Sequence, residues 1–241
     1  MRRSNNQYIG RFAPSPSGGL HFGSLVSAIA SYVDARQHFG QWILRIDDID
    51  QPRTKSGAAE SIIHTLNAFG FKWNNSIQWQ SERISQYEQV IQELKDRNAV
   101  YICACSRKEI AKIAASGVDG MIYPGTCRDQ GHKENSSRAI RIRTNSERIY
   151  FSDRVFGHFE QNLETLSGDF IIRRADKITA YQLAVVVDDY LDQVSHVVRG
   201  ADLLMSTCKQ IYLGGLLGYP TLDFAHTPLV INKSGKKLRK S

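Results

Sequence analysis

No stretch of this sequence is long and apolar enough to cross a bilayer. The longest purely aliphatic run is LAVVV at 183–187, against the roughly 20 residues a spanning helix needs. The arginines of MRRSNNQYIG at the start are followed by no apolar segment, so no secretory signal is read there. Cysteine is scarce, with four in 241 residues, and unevenly placed: Cys103, Cys105 and Cys127 cluster while Cys208 stands alone. That spacing argues against a disulfide framework and for thiols kept reduced, three of them close enough to share a metal. Internal repeats and low-complexity tracts are missing too, as are both common phosphate-loop signatures, GxxxxGKS/T and GxGxxG. These absences leave a cytoplasmic enzyme or nucleic-acid binder as the expectation.

What is present sharpens it. Hydrophobic residues make up 41% and charged residues 23%, enough for an ordinary core. The formal net charge of +7 suits a polyanionic partner, nucleic acid above all, although a basic and inert surface would read the same way. Residues 7–12 read as a strand and 23–38 as a helix, with Leu25, Ile29, Tyr32 and Val33 at helical spacing; 41–48 read as a buried strand. Strand, helix, strand is a βαβ unit and predicts a parallel sheet with a right-handed crossover. Two more helices are expected near 56–69 and 85–97.

From about residue 101 the chain changes character. Clustered cysteines lead into a short helix for which Ser106 and Glu109 form a capping box. Strand-like pieces follow at 138–144, 148–155 and 169–174, and helix, strand, helix resumes after Tyr181. The organisation expected is α/β and interrupted: residues 1–100 the first half of a nucleotide-binding domain, 101–175 an insert, 176–241 the second half.

The stretch RFAPSPSGGLHFGS, residues 11–24, sits between the first strand and the first helix. A turn there lies at the carboxyl edge of the sheet, where ligands bind, and the helix N-terminus offers unpaired N–H groups to phosphate. Gly18, Gly19 and Gly23 allow close backbone approach, Pro14 and Pro16 stiffen the turn, and His21 supplies a donor. A purely structural turn is the alternative for this stretch alone. The lysine-rich end INKSGKKLRKS could likewise be a solvated tail. For the thiols, tetrahedral zinc needs four ligands. Cys103, Cys105 and Cys127 give three; His132 would be the conventional fourth and Tyr123 an unusual one, and Cys208 reads as a buried small residue.

RFAPSPSGGLHFGS resembles the signature of class I glutamyl-tRNA synthetases, whose His-x-Gly-x element grips ATP. LRIDDID resembles their glutamate-binding strand, and YQLAVVVDDYLDQVSHVVRGADLL their later amino-acid-binding helix and strand. The likeness runs from about residue 8 to the last residue. It implies a Rossmann-like parallel sheet with an inserted zinc-bearing subdomain resembling the acceptor-end insert. It also implies ATP-dependent ligase chemistry with Mg2+ accompanying the ATP. His21, Gly23 and Ser24 would meet ATP together with Lys240 and its companion Lys237, KLRKS being similar to the family's lysine loop although Arg239 replaces the usual serine. Arg11, Phe12, Ala13, Pro14, Ser15, Asp47, Tyr181 and Arg199 would meet L-glutamate. Asp47 stands where the family usually has glutamate, one methylene longer. The resemblance favours Tyr123 as the fourth zinc ligand, since members that glutamylate queuosine carry a Cys-x-Cys…Tyr-x-x-x-Cys element at this place.

RGADLL is similar to the form in those shortened, queuosine-modifying members, and the chain stops at the lysine loop, so no anticodon-binding domain is expected. The activity implied is tRNA-independent activation of glutamate and its transfer to queuosine in the anticodon of tRNA(Asp), by a monomer with no membrane association. The alternatives are a catalytic fragment of a glutamyl-tRNA synthetase and a non-catalytic tRNA- or nucleotide-binding module of the same fold.

Overall fold

The computed structural model describes residues 7–117, 120–135 and 137–231. The chain opens as expected with β1 (Ile9–Phe12), α1 (Phe22–Gln37) and β2 (Gln41–Ile46). The two strands are parallel, in register from Ile9 opposite Gln41 to Phe12 opposite Leu44, and α1 is the crossover that parallel neighbours require. Next come α2 (Ala58–Ala68), β3 (Gln78–Trp79) and α3 (Ile84–Asp96). The middle contains β4 (Val100–Cys103), α4 (Arg107–Ile113), β5 (Ser116–Gly117), β6 (Gly120–Met121), β7 (Ala139–Ile142), β8 (Arg148–Asp153), β9 (Gly157–Asn162), α5 (Leu163–Leu166) and β10 (Ile171–Arg173). The last part is α6 (Tyr181–Leu191), β11 (His196–Gly200), α7 (Ser206–Leu216) and β12 (Asp223–Thr227).

The main sheet runs β3-β2-β1-β11-β12-β8-β9. Every neighbour pair from β3 to β8 is parallel, and β9 closes the edge antiparallel to β8. The late strand β11 lies against the first strand, with Gly10 paired to His196. The strand order therefore reverses direction between β1 and β11, the arrangement that opens a crevice at the carboxyl ends of the strands.

Two details differ from the sequence expectation. The apolar spacing in α1 marks the helix correctly, but Ile29 and Val33 are 47% and 53% exposed. The buried face is the small one, Ala28, Ser31 and Ala35, which lets the helix lie close on the sheet. The second concerns the insert. Residues 101–175 do not form a unit apart: β4, β7 and β10 make their own three-stranded antiparallel sheet, whereas β8 and β9 join the main one. Asp153 of β8 pairs with Phe224 of β12, covering what would otherwise be an open sheet edge. One hydrophobic cluster also crosses both expected boundaries, linking Tyr87, Leu94, Ile140, Ile172, Leu183, Val187 and Leu213.

The capping box of α4 is formed in both directions, Glu109 N–H donating to Ser106 Oγ and Ser106 N–H to Glu109 Oε2. Among the described residues no helix is long and apolar enough to cross a membrane.

Candidate active site

The proline-rich turn after β1 is tied down by its neighbours: Asp47 N–H donates to Pro14 O at 3.0 Å and Lys55 N–H to Pro16 O at 2.9 Å. It leads into α1, whose N-cap is His21. The ring accepts the Ser24 N–H at Nδ1, 3.1 Å away. An Nδ1 that accepts leaves the proton on Nε2, which lies 3.2 Å from Ser24 Oγ. A Cβ on residue 23 would come within 3.1 Å of His21 Cε1; glycine there lets the ring fold over the helix end.

This turn forms one wall of a cleft of about 200 Å³ at the carboxyl ends of β1, β2, β11 and β12. Of the residues expected from the sequence, Arg11, Phe12, Ala13, Pro14, His21, Gly23, Ser24, Asp47, Tyr181 and Arg199 all line it. Ser15 does not. It is exposed in the turn, its carbonyl accepting from Ser17 N–H. Lys237, Lys240 and Ser241 lie outside the described residues.

Both arginines of the cleft are buried and rigidly held. Arg11 donates from Nε to Asp189 Oδ1 at 3.1 Å and from Nη2 to Oδ2 at 3.3 Å. Arg45, fully buried behind it, donates to Asp47 Oδ1 (2.9 Å), Asp189 Oδ1 (2.8 Å) and Asp192 Oδ2 (3.1 Å). Asp188 accepts from Gln80, Arg83 and Tyr87, and Arg83 also pairs with Asp192. Three guanidiniums, those of Arg11, Arg45 and Arg83, thus face four carboxylates, Asp47, Asp188, Asp189 and Asp192, which leaves one negative charge over. Asp47 is the member of the set that lines the cleft. Its carboxyl is pushed up to about 6 by burial, with Asp188 adding to the effect and Arg45 opposing it. A ligand ammonium placed here would balance the network. Asp189 is held below the usual carboxylate range because Arg11 and Arg45 outweigh its burial.

On the other wall Arg199 donates to His226 Nε2 (3.1 Å), Gln210 Oε1 (2.8 Å) and Thr207 Oγ1 (2.9 Å), and Tyr181 contributes a hydroxyl beside the guanidinium. His226 is wholly buried, its Nδ1 2.6 Å from Asp153 Oδ2. Two fixed cations, one acid in need of a cation and a helix N-terminus with an imidazole N–H therefore share one cleft. That set suits a zwitterion carrying two carboxylates together with a phosphorylated co-substrate.

Sequence reasoning missed Asp188, Asp189, Asp192, Asp153, His226 and Gln210. The signal for the first three was in view: acids in the last turns of an otherwise apolar helix and at its C-cap, two of them, Asp188 and Asp192, four residues apart.

The cysteine cluster lies at the end of β4, away from this cleft. The Sγ atoms of Cys103, Cys105 and Cys127 lie within 4.8 Å of one another. Tyr123 Oη converges on them, 3.4 Å from both Cys103 Sγ and Cys105 Sγ, and accepts the Cys127 N–H at 2.9 Å. His132 bonds the Cys127 thiol but, among the described residues, does not join the three cysteines whose ligand atoms gather here. Burial pushes the Cys127 thiol up, but hydrogen bonds from Tyr123, Ala104 N–H, Cys105 and His132 outweigh it and hold it at about 6. Three thiols and a phenol on one centre fit a tetrahedral thiophilic ion, with Arg141 lying over the Tyr123 ring at 3.7 Å as a nearby countercharge.

With the geometry in place, the likeness to known proteins falls in line. The family of tRNA synthetases class I (E and Q), catalytic domain, matches residues 9–241. A protein of Aromatoleum aromaticum named glutamyl-Q tRNA(Asp) synthetase is 51% identical over 233 residues, covering 97% of this chain and 74% of its own. Those of the same name from Dechloromonas aromatica and Neisseria gonorrhoeae are 50% and 49% identical; they cover 98% and 97% of this chain and 79% and 80% of their own. Among solved structures, a glutamate tRNA ligase of Elizabethkingia meningosepticum in complex with its amino acid superposes with a TM-score of 0.84 at 26% identity. It covers 97% of this chain, which spans about half, 52%, of that one.

Proposed function

The chain belongs to the family of class I tRNA synthetases for E and Q, catalytic domain, and on that premise we propose that it activates L-glutamate with ATP and hands it to tRNA. In full, glutamate is converted to glutamyl-adenylate without tRNA, and the glutamyl group is transferred to queuosine in the anticodon of tRNA(Asp). The observation that carries this reading is the cleft in which Arg11, Arg199, Asp47 and His21 meet. About half-identity over nearly the whole chain to proteins named glutamyl-Q tRNA(Asp) synthetase supports the choice of acceptor.

Adenylation joins a carboxylate oxygen to the α-phosphorus of ATP and expels pyrophosphate, so its demand is for positioning and for donors to phosphoryl oxygens. Arg11 and Arg199 bind and orient the two carboxylates of glutamate, Tyr181 adds a hydroxyl, and Asp47 takes the ammonium. Asp47 is one methylene shorter than the glutamate usual in the family; it is anchored by Arg45. His21 offers its Nε2–H and, with the N–H groups at the start of α1, meets the ATP phosphates, Gly23 and Ser24 lying beside them. Lys240 and Lys237 complete this role from the C-terminal end. Mg2+ would accompany ATP and neutralise its phosphates. Cys103, Cys105, Tyr123 and Cys127 would hold one structural zinc that pins the segment following β4.

Glutamate-dependent ATP–pyrophosphate exchange without tRNA tests the first half. Attachment of labelled glutamate to tRNA(Asp) that carries queuosine, and not to tRNA(Asp) lacking it, tests the second. Exchange only after tRNA is added would favour a glutamyl-tRNA synthetase fragment, and no exchange in either case a binding module.

A further inference from the structure

Arg199 is useful to a carboxylate only if its guanidinium plane is fixed. An arginine has five N–H hydrogens and no lone pair to offer. His226 Nε2 takes the hydrogen on Nε, Gln210 one on Nη1, and Thr207 and the Leu203 carbonyl those on Nη2. The imidazole serves as an acceptor in one tautomer only: it accepts at Nε2, which also lies 3.4 Å from Thr207 Oγ1, when its proton is on Nδ1, and it repels Arg199 when the proton is on Nε2. The choice is made one residue further back. Asp153 Oδ2 lies 2.6 Å from His226 Nδ1, and Asp153 Oδ1 is itself held by the N–H groups of Val155, Phe156 and His226. All three side chains are buried, Arg199 at 5%, His226 at 0% and Asp153 at 4% exposure. Burial, with the Arg199 charge beside it, also keeps the imidazole neutral, its pKa held down at about 4.

We propose that Asp153 and His226 are positioning residues for Arg199, the carboxylate selecting the Nδ1–H tautomer so that the imidazole lone pair locks the guanidinium toward the substrate carboxylate. The chain is Asp153, His226, Arg199, running from β8 through β12 to β11. It makes the strand contributed by the middle segment a supporting part of the amino-acid site. The inference rests on the reading of the cleft as a glutamate site.

The test uses Asp153→Asn. Asparagine keeps the shape and, with Oδ1, the three backbone contacts, but turns an N–H toward His226 Nδ1 and so forces the proton onto Nε2. The KM for glutamate in ATP–pyrophosphate exchange is expected to rise about ten- to a hundredfold. kcat is expected to stay within about threefold and the melting temperature close to wild type. His226→Gln, whose Oε1 can still accept from Arg199, should keep KM within about threefold of wild type, and His226→Leu should lose it. A folded Asp153→Asn protein with wild-type KM overturns the proposal, as does a His226→Gln protein no better than His226→Leu. Nitrogen chemical shifts of the His226 ring, read on the same proteins at neutral pH, separate this from the functional reading. If wild type shows no glutamate-dependent exchange, that reading falls. The ring shifts then decide alone: a proton on Nδ1 in wild type and on Nε2 in Asp153→Asn upholds the relay, and any other result ends it.

Discussion

Arg45 Nε donates to Asp47 Oδ1 at 2.9 Å while Nη1 of the same guanidinium donates to Asp189 Oδ1 at 2.8 Å. The acid that lines the cleft and the acid beneath Arg11 therefore share one cation. Withdrawing that cation leaves the carboxylates buried together, and removing one partner of a buried ion network typically costs about 3–5 kcal/mol. Arg45→Met is expected to lose that much in urea unfolding. Lysine brings a single ammonium to a site that uses a planar fork, so Arg45→Lys should recover only part of the loss. Wild-type stability in Arg45→Met would show that the acids do not depend on it.

Asp47 ties glutamate binding to pH. Burial pushes its carboxyl up to about 6, and only the carboxylate attracts an ammonium. Affinity for glutamate should hold at neutral pH and fall as pH drops through about 6, the ligand having to displace a proton. Asp47→Asn should bind weakly at every pH and show no such slope. Calorimetric titration at several pH values checks both; a slope that persists in Asp47→Asn would assign it to another group.

The thiol cluster makes a separate prediction. Purified, tag-free protein should carry about one zinc per chain by elemental analysis. Chelation should lower the melting temperature, because two ligands come from the end of β4 and just beyond it and two from the loop before β7, and a shared ion would add bonds between these segments. Tyr123→Phe tests the unusual fourth ligand: it should weaken zinc retention in chelator competition, whereas His132→Ala should leave it unchanged. The reverse result would move the ligand from Tyr123 to His132.

Much of this was legible in the chain itself, and what was not has a common cause. The turn from Arg11 to Ser24, the parallel strands on either side of α1 and the cysteine spacing are local patterns, and local patterns survive folding. Asp153 and His226 are 73 positions apart in sequence and 2.6 Å apart in space; nothing at either position alone marks it. The strand carrying Asp153 read as part of an insert, and its attachment to β12 depends on which edge the sheet leaves open. In sequence alone, a surface ion-pair cluster of Arg45, Asp47 and Asp48 was the lesser alternative to a binding site. Only the fold, by bringing the acids of α6 against β2, shows the pair to be buried. α1 misled in the opposite sense. Its larger side chains gave the helical period, but the sheet took the small-residue face.

His226 also gives stability a pH dependence whose sign can be worked out. Its pKa is depressed from the ordinary 6.5 to about 4 in the folded protein. The unfolded chain takes up a proton as pH falls through 6.5, while the folded protein resists until about 4, so stability is lost across that window. A shift of this size corresponds to about 3 kcal/mol at its lower end. Asp47 works the other way. Its folded carboxyl protonates at about 6 and its unfolded one near 3.8, so the folded state gains as pH falls between them, and in wild type the two trends largely cancel. Asp47→Asn removes the compensation, and its stability should fall steeply from about pH 6.5 toward 4. In Asp47→Asn/His226→Gln that fall should be smaller by about 3 kcal/mol. The slope due to His196, whose pKa burial also lowers, is common to both proteins and drops out of the difference. Glu134, held at about 2 chiefly by Lys95, begins to lose its contribution only below about 4.5, so the upper part of the window is free of it. Urea unfolding of the two variants at half-unit pH steps makes the comparison. Parallel curves would mean that His226 is not the buried neutral base that its contacts with Asp153 and Arg199 require.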